Sequence, residues 1–226
     1  MRSNYERHLP HQIPEKYPIF VTWNPKGAMP RKIWQMLQRE RARLENLPPR
    51  TGETPKERKI REDKLIFALS DRALDCAGDG PMHLKNPAAA KIVEESILFG
   101  VPERYDLFAW CVMANHVHVV LTPHWELADV THGIKGYTAL QINRIHEARG
   151  RAFWQDESYD HWARDDDEMM LIIAYIENNP VVAGLCARPE HWSWSSARFR
   201  TAWRPGEPFV KSTSGLQPDC DVGASV

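Results

Sequence analysis

Two apolar runs, Tyr105 to Val112 and Asn115 to Leu121, stand only two residues apart, and no other feature of the chain restricts its fold so strongly. Both are short and rich in aromatic and β-branched residues, so they read as strands. A connection of Met113 and Ala114 alone leaves no room for a crossover, which makes the pair an antiparallel hairpin. Side chains alternate between the faces of a strand, so His116 and His118 on the second arm project to one side while Val117 projects to the other, toward a core. Imidazoles bind divalent cations readily, and two of them two residues apart offer their nitrogens from a rigid backbone. The same spacing also occurs on ordinary half-buried strands, and two ligands rarely hold an ion. Partners would have to come from elsewhere in the chain.

The remaining pattern supplies the other elements. Tyr17 to Trp23 reads as a first strand, ended by the turn residues Asn24-Pro25-Lys26-Gly27. Pro30 opens a helical pattern through Leu47, stopped by Pro48-Pro49, and a second helix follows from about Lys56 to Ala77. This charged helical insertion at about residues 30–80 has the look of an appendage. Asn86-Pro87 starts a helix to Phe99, with Ile92, Val93, Ile97 and Leu98 as its apolar stripe and Gly100 as its end. Glu126 to Arg149 is amphipathic, with Leu127, Val130, Ile134, Tyr137, Ala139, Ile142 and Ile145 as its buried side. Phe153 to Gln155 and Tyr159 to Arg164 are short extended segments. Asp165-Asp166-Asp167-Glu168 then places negative charge at the start of a helix reaching about Asn178, with Pro180 expected to end it. The order predicts an α+β fold, a ferredoxin-like antiparallel sheet with helices on one face. Residues 1–200 are expected to form a single domain and 201–226 a flexible C-terminal tail.

Composition narrows the chemistry. A chain of 226 residues, 42% of them apolar, can bury a sizeable core. Its net charge of −1 argues against a uniformly basic DNA coat but permits local basic faces, as in Arg31 to Lys64 and Lys135 to Arg151. Cys76, Cys111, Cys186 and Cys220 form no Cys-x-x-Cys pair, so neither a zinc ribbon nor a disulfide framework is indicated. No stretch approaches the roughly 20 apolar residues of a membrane span, and Met1 to Arg7 precede no apolar leader segment. A cytoplasmic protein without a membrane partner is expected.

A second constellation lies downstream. On the last helix Tyr175 and Asn179 are four apart and share a face, which puts a phenol beside an amide near a helix end. Taken alone, each has a plain structural explanation, the tyrosine as a core-edge aromatic and the asparagine as part of a polar helix stop.

Together the segments Arg7-His8-Leu9-Pro10-His11, Phe20-Val21-Thr22-Trp23, Ala109 to His118, Lys135-Gly136-Tyr137-Thr138, Phe153 to Trp162, Tyr175-Ile176-Glu177-Asn178-Asn179-Pro180 and Trp192 to Ala197 resemble the REP-associated tyrosine transposases. Those proteins are relatives of the single-tyrosine HUH transposases of small bacterial insertion sequences. The resemblance covers most of residues 7–198 and leaves out the Arg31 to Lys64 insert and the chain after Thr201. It departs at Ala114, where proline is usual, and at Val182, where lysine is common.

The resemblance implies cleavage and rejoining of single-stranded DNA at hairpin-forming repeats, through a 5′-phosphotyrosine intermediate and a free 3′-OH. It makes Tyr175 the nucleophile and has His116, His118 and Asn179 hold Mg²⁺ or Mn²⁺. Lys135, Arg144, Arg151 and Arg164 are the candidate phosphate contacts, with Trp154 or Trp162 as stacking platforms for bases. Tyr137 is the rival nucleophile, ranked second because it lies near a buried stripe. Two other classes stay open: a catalytically silent repeat-DNA-binding protein, and a metal-dependent phosphodiesterase that uses water. The implied setting is the bacterial nucleoid, with a monomer or homodimer, and with tyrosine and histidines drawn from one subunit or from two.

Overall fold

The computed structural model describes residues 17–75, 80–156 and 158–211. The expectations for Arg7 to His11, Cys76, Ala77 and Cys220 fall outside these residues. Four strands, β1 (Ile19–Trp23), β2 (Tyr105–Val112), β3 (Val117–Pro123) and β4 (Tyr159–Trp162), form one sheet in the order β2-β3-β1-β4, with every neighbouring pair antiparallel. Five helices complete the α+β fold: α1 (Arg31–Glu45), α2 (Pro55–Asp75), α3 (Pro87–Phe99), α4 (Leu127–Ile145) and α5 (Asp166–Val182).

The expected hairpin is β2 with β3, pairing Val112 with Val117 and Cys111 with His118, and its turn is closed by the Met113 N–H donating to the His116 carbonyl at 2.9 Å. Ile19, Val21, Trp23, Val117, Val119 and Leu121 point to one face and pack with Val93 and Ile97 of α3 and Val130, Ile134 and Ile142 of α4. The Asn86 side chain caps α3 by accepting from the Ala88 N–H at 2.9 Å. At its other end Gly100 is needed because the Tyr105 ring fills the place of a Cβ.

Helices on one face describe α3 and α4, but α5 covers the other. That face carries Phe20, Phe108, Ala109 and Val120, two of them consecutive because the β2 register slips between Leu107 and Ala109. Leaving it bare would cost about 2 kcal/mol for each large side chain exposed. Met169, Ile173 and Ile176 of α5 cover it, with Phe67 of α2 packed at the margin. Nor does Pro180 end α5, which runs on to Val182. Proline forfeits one N–H near the helix end, while the Ala183 and Leu185 N–H groups still find the carbonyls of Asn179 and Pro180 at 2.9 and 2.8 Å.

Two further expectations are corrected. The 30–80 insertion is no appendage, since α2 sends Ile66, Asp71 and Leu74 into the interior and stacks Phe67 on Tyr159 with ring centroids 4.1 Å apart. The flexible tail does not begin at 201. Trp203 and Phe209 are buried in the main core beside Trp110, and the Phe209 N–H donates to the Leu107 carbonyl at 2.7 Å. Among the described residues no helix is long and apolar enough to cross a membrane.

Trp203→Ala should therefore cost about 3 kcal/mol, as loss of a packed indole does. Urea unfolding followed by fluorescence checks this, and a change within about 0.5 kcal/mol, normal for a loose surface site, would mean that the segment is not part of the core.

Candidate active site

His118 on β3 and His116 just before it both turn toward α5, both fully buried, with ring centroids 4.6 Å apart. Neighbouring polar groups set their orientation. Thr22, opposite His118 on β1, bonds its Nδ1 through Oγ1 at 2.7 Å. Asn115 gives its amide N–H to the Leu74 carbonyl at 2.7 Å, which leaves its oxygen facing His116 Nδ1 at 2.8 Å. An oxygen there can only accept, so Nδ1 carries the proton and Nε2 presents a lone pair to the interior.

What His116 Nε2 meets is more acceptors. Asp71 Oδ1 and Asp75 Oδ1 each lie 3.8 Å away, and Asp71 Oδ1 is 3.4 Å from His118 Nε2. His116 Nε2, Asp71 Oδ1, Asp75 Oδ1 and Asn179 Oδ1 are all buried without a hydrogen-bond partner. The other Asp71 oxygen accepts from the Tyr175 hydroxyl and from Asn179 Nδ2, the latter at 3.3 Å. Asn179 Nδ2 also lies 3.4 Å from His118 Nε2.

Burial governs the electrostatics. It pushes the Asp71 carboxyl up, against the pull of His116 and the Asn179 hydrogen bond. Burial, with the Asp71 charge beside it, raises Asp75 to about 7. It lowers both imidazoles to about 3, with His118 adding to the effect on His116. The imidazoles are thus neutral at ordinary pH and available as ligands.

Lone pairs converging in a buried space suit a divalent cation. Ligand distances of about 2.1 Å allow two donors on one ion to stand up to about 4.2 Å apart, and the Asp71 oxygen meets this with both imidazoles. One donor atom from each of Asp71, His116 and His118 lies within 4.8 Å of the others.

The structure thus brings His116, His118, Tyr175 and Asn179 together. Tyr175 is 41% exposed, reachable from solvent, and its ring centroid lies 6.1 Å from that of His118. Tyr137 is neither at the site nor near a buried stripe. It is 55% exposed on α4, across the sheet from the histidines, because the buried side of α4 runs through Val130, Ile134, Thr138 and Ile142.

Trp154 cannot serve as a stacking platform. Its ring is 5% exposed within the main core and its N–H donates to Thr138 at 2.9 Å. Trp162 is half-buried, edge-on to Tyr17. The Lys135 ammonium ties down the carbonyls of Gln155 and Asp156, Arg164 is held by Glu168 at 2.8 Å, and Arg144 and Arg151 are exposed. A cleft of about 2620 Å³ reaches Asp71, and Tyr17, Arg31, Trp34, Arg41, Lys59 and Arg151 are among the residues lining it. Lys135 also lines it.

Reading the sequence missed Asp71, Asp75, Asn115 and Thr22 as parts of the site. The available signal was Asp71 itself, on the same side of α2 as Phe67 and Leu74, an acid within an apolar stripe.

Comparison with known proteins bears on this arrangement. No curated protein matches the chain. Residues 99–179 match the family described as "Transposase IS200 like". This stretch is similar to the IS200-like transposases. It contains His116, His118, Tyr175 and, as its last residue, Asn179, whereas Asp71 and all of α2 precede it. A solved structure described as a REP-associated tyrosine transposase bound to a REP hairpin is similar at 15% identity and a TM-score of 0.45, over 99% of this chain and 98% of that one.

Asp75 gives the site a pH signature. Its carboxyl keeps its proton to about 7 in the folded chain, against an ordinary 3.8, so the native state binds more protons in between and stability falls as pH rises through that window. Asp75→Asn, neutral throughout, should raise the melting temperature of the chelator-treated protein more at pH 8 than at pH 5. Equal shifts at the two pH values would contradict the buried-acid account.

Proposed function

We propose that the protein is a single-tyrosine transposase that cleaves and rejoins single-stranded DNA through Tyr175. The observation that carries this reading is the Asp71 carboxylate, which faces both imidazoles with one oxygen and accepts from the Tyr175 hydroxyl with the other. That arrangement supports a nucleophilic role for Tyr175, an exposed residue beside groups that could hold a cation.

His116, His118 and Asn179 would hold Mg²⁺ or Mn²⁺. Such an ion polarises a phosphodiester and offsets the charge that grows on its oxygens. Tyr175 supplies the attacking oxygen, with its proton directed at Asp71 Oδ2. Attack on phosphorus breaks the bond to the 3′ oxygen, leaving a 3′-OH on one fragment and a 5′-phosphotyrosine on the other. Because the phosphoester is kept, a second 3′-OH can reverse the step and join a new strand, which release by water would not allow. Hairpin-forming repeats are the proposed substrate, on the sequence resemblance. The strand would approach along the cleft lined by Arg31, Arg41, Lys59 and Arg151, with Trp34 rather than Trp154 offering an exposed ring.

A labelled hairpin oligonucleotide incubated with the protein and Mn²⁺ should give an adduct that survives denaturation. Tyr175→Phe and His116→Ala should abolish it, a loss of more than about 100-fold, while Tyr137→Phe should leave it in place. Nicking without an adduct would favour water as the nucleophile, and binding without nicking would favour a silent DNA-binding protein.

Phosphate contacts also make binding depend on salt. Raising salt from 50 to 200 mM should weaken hairpin affinity by at least about tenfold, measurable by fluorescence anisotropy with Tyr175→Phe. An unchanged affinity would remove the cationic cleft from the account.

A further inference from the structure

We propose that Asp71, carried by α2 outside the IS200-like stretch, is itself a ligand of the cation held by His116 and His118, and that its second oxygen positions the Tyr175 hydroxyl beside that ion. This rests on the transposase reading and adds an anionic ligand that the tyrosine and histidine motifs do not contain.

A hydrogen-bonding role alone accounts for only half of the carboxylate. Oδ2 has two donors, the Tyr175 hydroxyl and Asn179 Nδ2. Oδ1 has none, although Asp71 is 1% exposed and this oxygen lies 3.4 and 3.8 Å from two imidazole nitrogens. His116 Nε2 cannot donate to it, because the Asn115 oxygen holds the ring proton on Nδ1. A buried charged oxygen among lone pairs is expensive unless a cation shares it.

The donor chemistry points the same way. Two imidazoles and one carboxylate, with positions left open, suit divalent Mn²⁺ and related ions. Asp71 would cancel one of the ion's two charges at a buried position. Asn179 Nδ2 faces Asp71 Oδ2, so Asn179 Oδ1 is left as the further unpartnered oxygen at the site. The insertion that reads as an appendage thereby becomes part of the centre, and Asp71 a positioning residue for the nucleophile.

The test uses the full chain without DNA, with Mn²⁺ as the probe, read by the EPR signal of the free ion and by the shift in melting temperature on adding metal. Asp71→Asn should weaken Mn²⁺ binding by more than about 100-fold, beyond what loss of an outer hydrogen-bond partner of a ligand costs, while its melting temperature in chelator stays at or above that of the unaltered protein. Asp71→Glu keeps a carboxylate and should retain more affinity than Asp71→Asn. Adduct formation by Asp71→Asn should recover in part at millimolar Mn²⁺, whereas Tyr175→Phe should not recover. Unchanged Mn²⁺ affinity in Asp71→Asn, with loss in His116→Ala, would overturn the role of Asp71 and leave the transposase reading standing. Failure of the unaltered protein to bind Mn²⁺ at all would overturn both.

Discussion

Buried acceptors gathered around His116 and His118 are the constraint around which this protein is arranged. Asp71 Oδ1, Asp75 Oδ1, His116 Nε2 and Asn179 Oδ1 are all buried without a hydrogen-bond partner. Such a grouping disfavours folding unless the surroundings fix it. Those surroundings are apolar and well packed: Phe20, Phe108 and Val120 below, Met169, Ile173 and Ile176 above, with Phe67 and Tyr159 stacked at the side. The second face of the sheet holds the polar centre in place by enclosing it in ordinary hydrophobic contact.

The helices that close this face are also tied to each other. Glu168, in the first turn of α5, meets Lys64 of α2, His161 of β4 and Arg164. Burial alone would raise its carboxyl, but hydrogen bonds from Arg164 and Lys64 hold it well below the usual carboxylate range. Asp165 caps the same turn by accepting from the Glu168 N–H at 2.7 Å. Charge thus fixes where α5 begins, and apolar contact fixes how it lies. Between them they set the height of Tyr175 above the histidines.

Much of this was legible from local pattern. Period-two alternation placed both imidazoles on one face, and period-four spacing put Tyr175 beside Asn179, because each rule depends only on neighbours in sequence. The hairpin and the Asn86 start of α3 were readable for the same reason. Contacts between distant segments were not. Charges along α2 resemble a solvated helix, and only the folded chain shows that one of its sides covers the sheet. Tyr137 and Trp154 failed similarly, since a one-residue rotation decides whether a helical aromatic is buried, and a short extended segment gives no sign of which way its indole turns. Trp203 and Phe209 follow a polar stretch, and their burial beside Trp110 is a tertiary event.

The join between β4 and α5 has a mechanical consequence. Only Ala163, Arg164 and Asp165 separate Trp162 from Asp166, a reach of about 14 Å even at full stretch. The first of the three is buried and bonded to the Pro18 carbonyl at 2.8 Å, and the last is the helix cap. So short a tether holds the start of α5 against the end of β4, and with it the line along which Tyr175 and Asn179 are presented to the sheet.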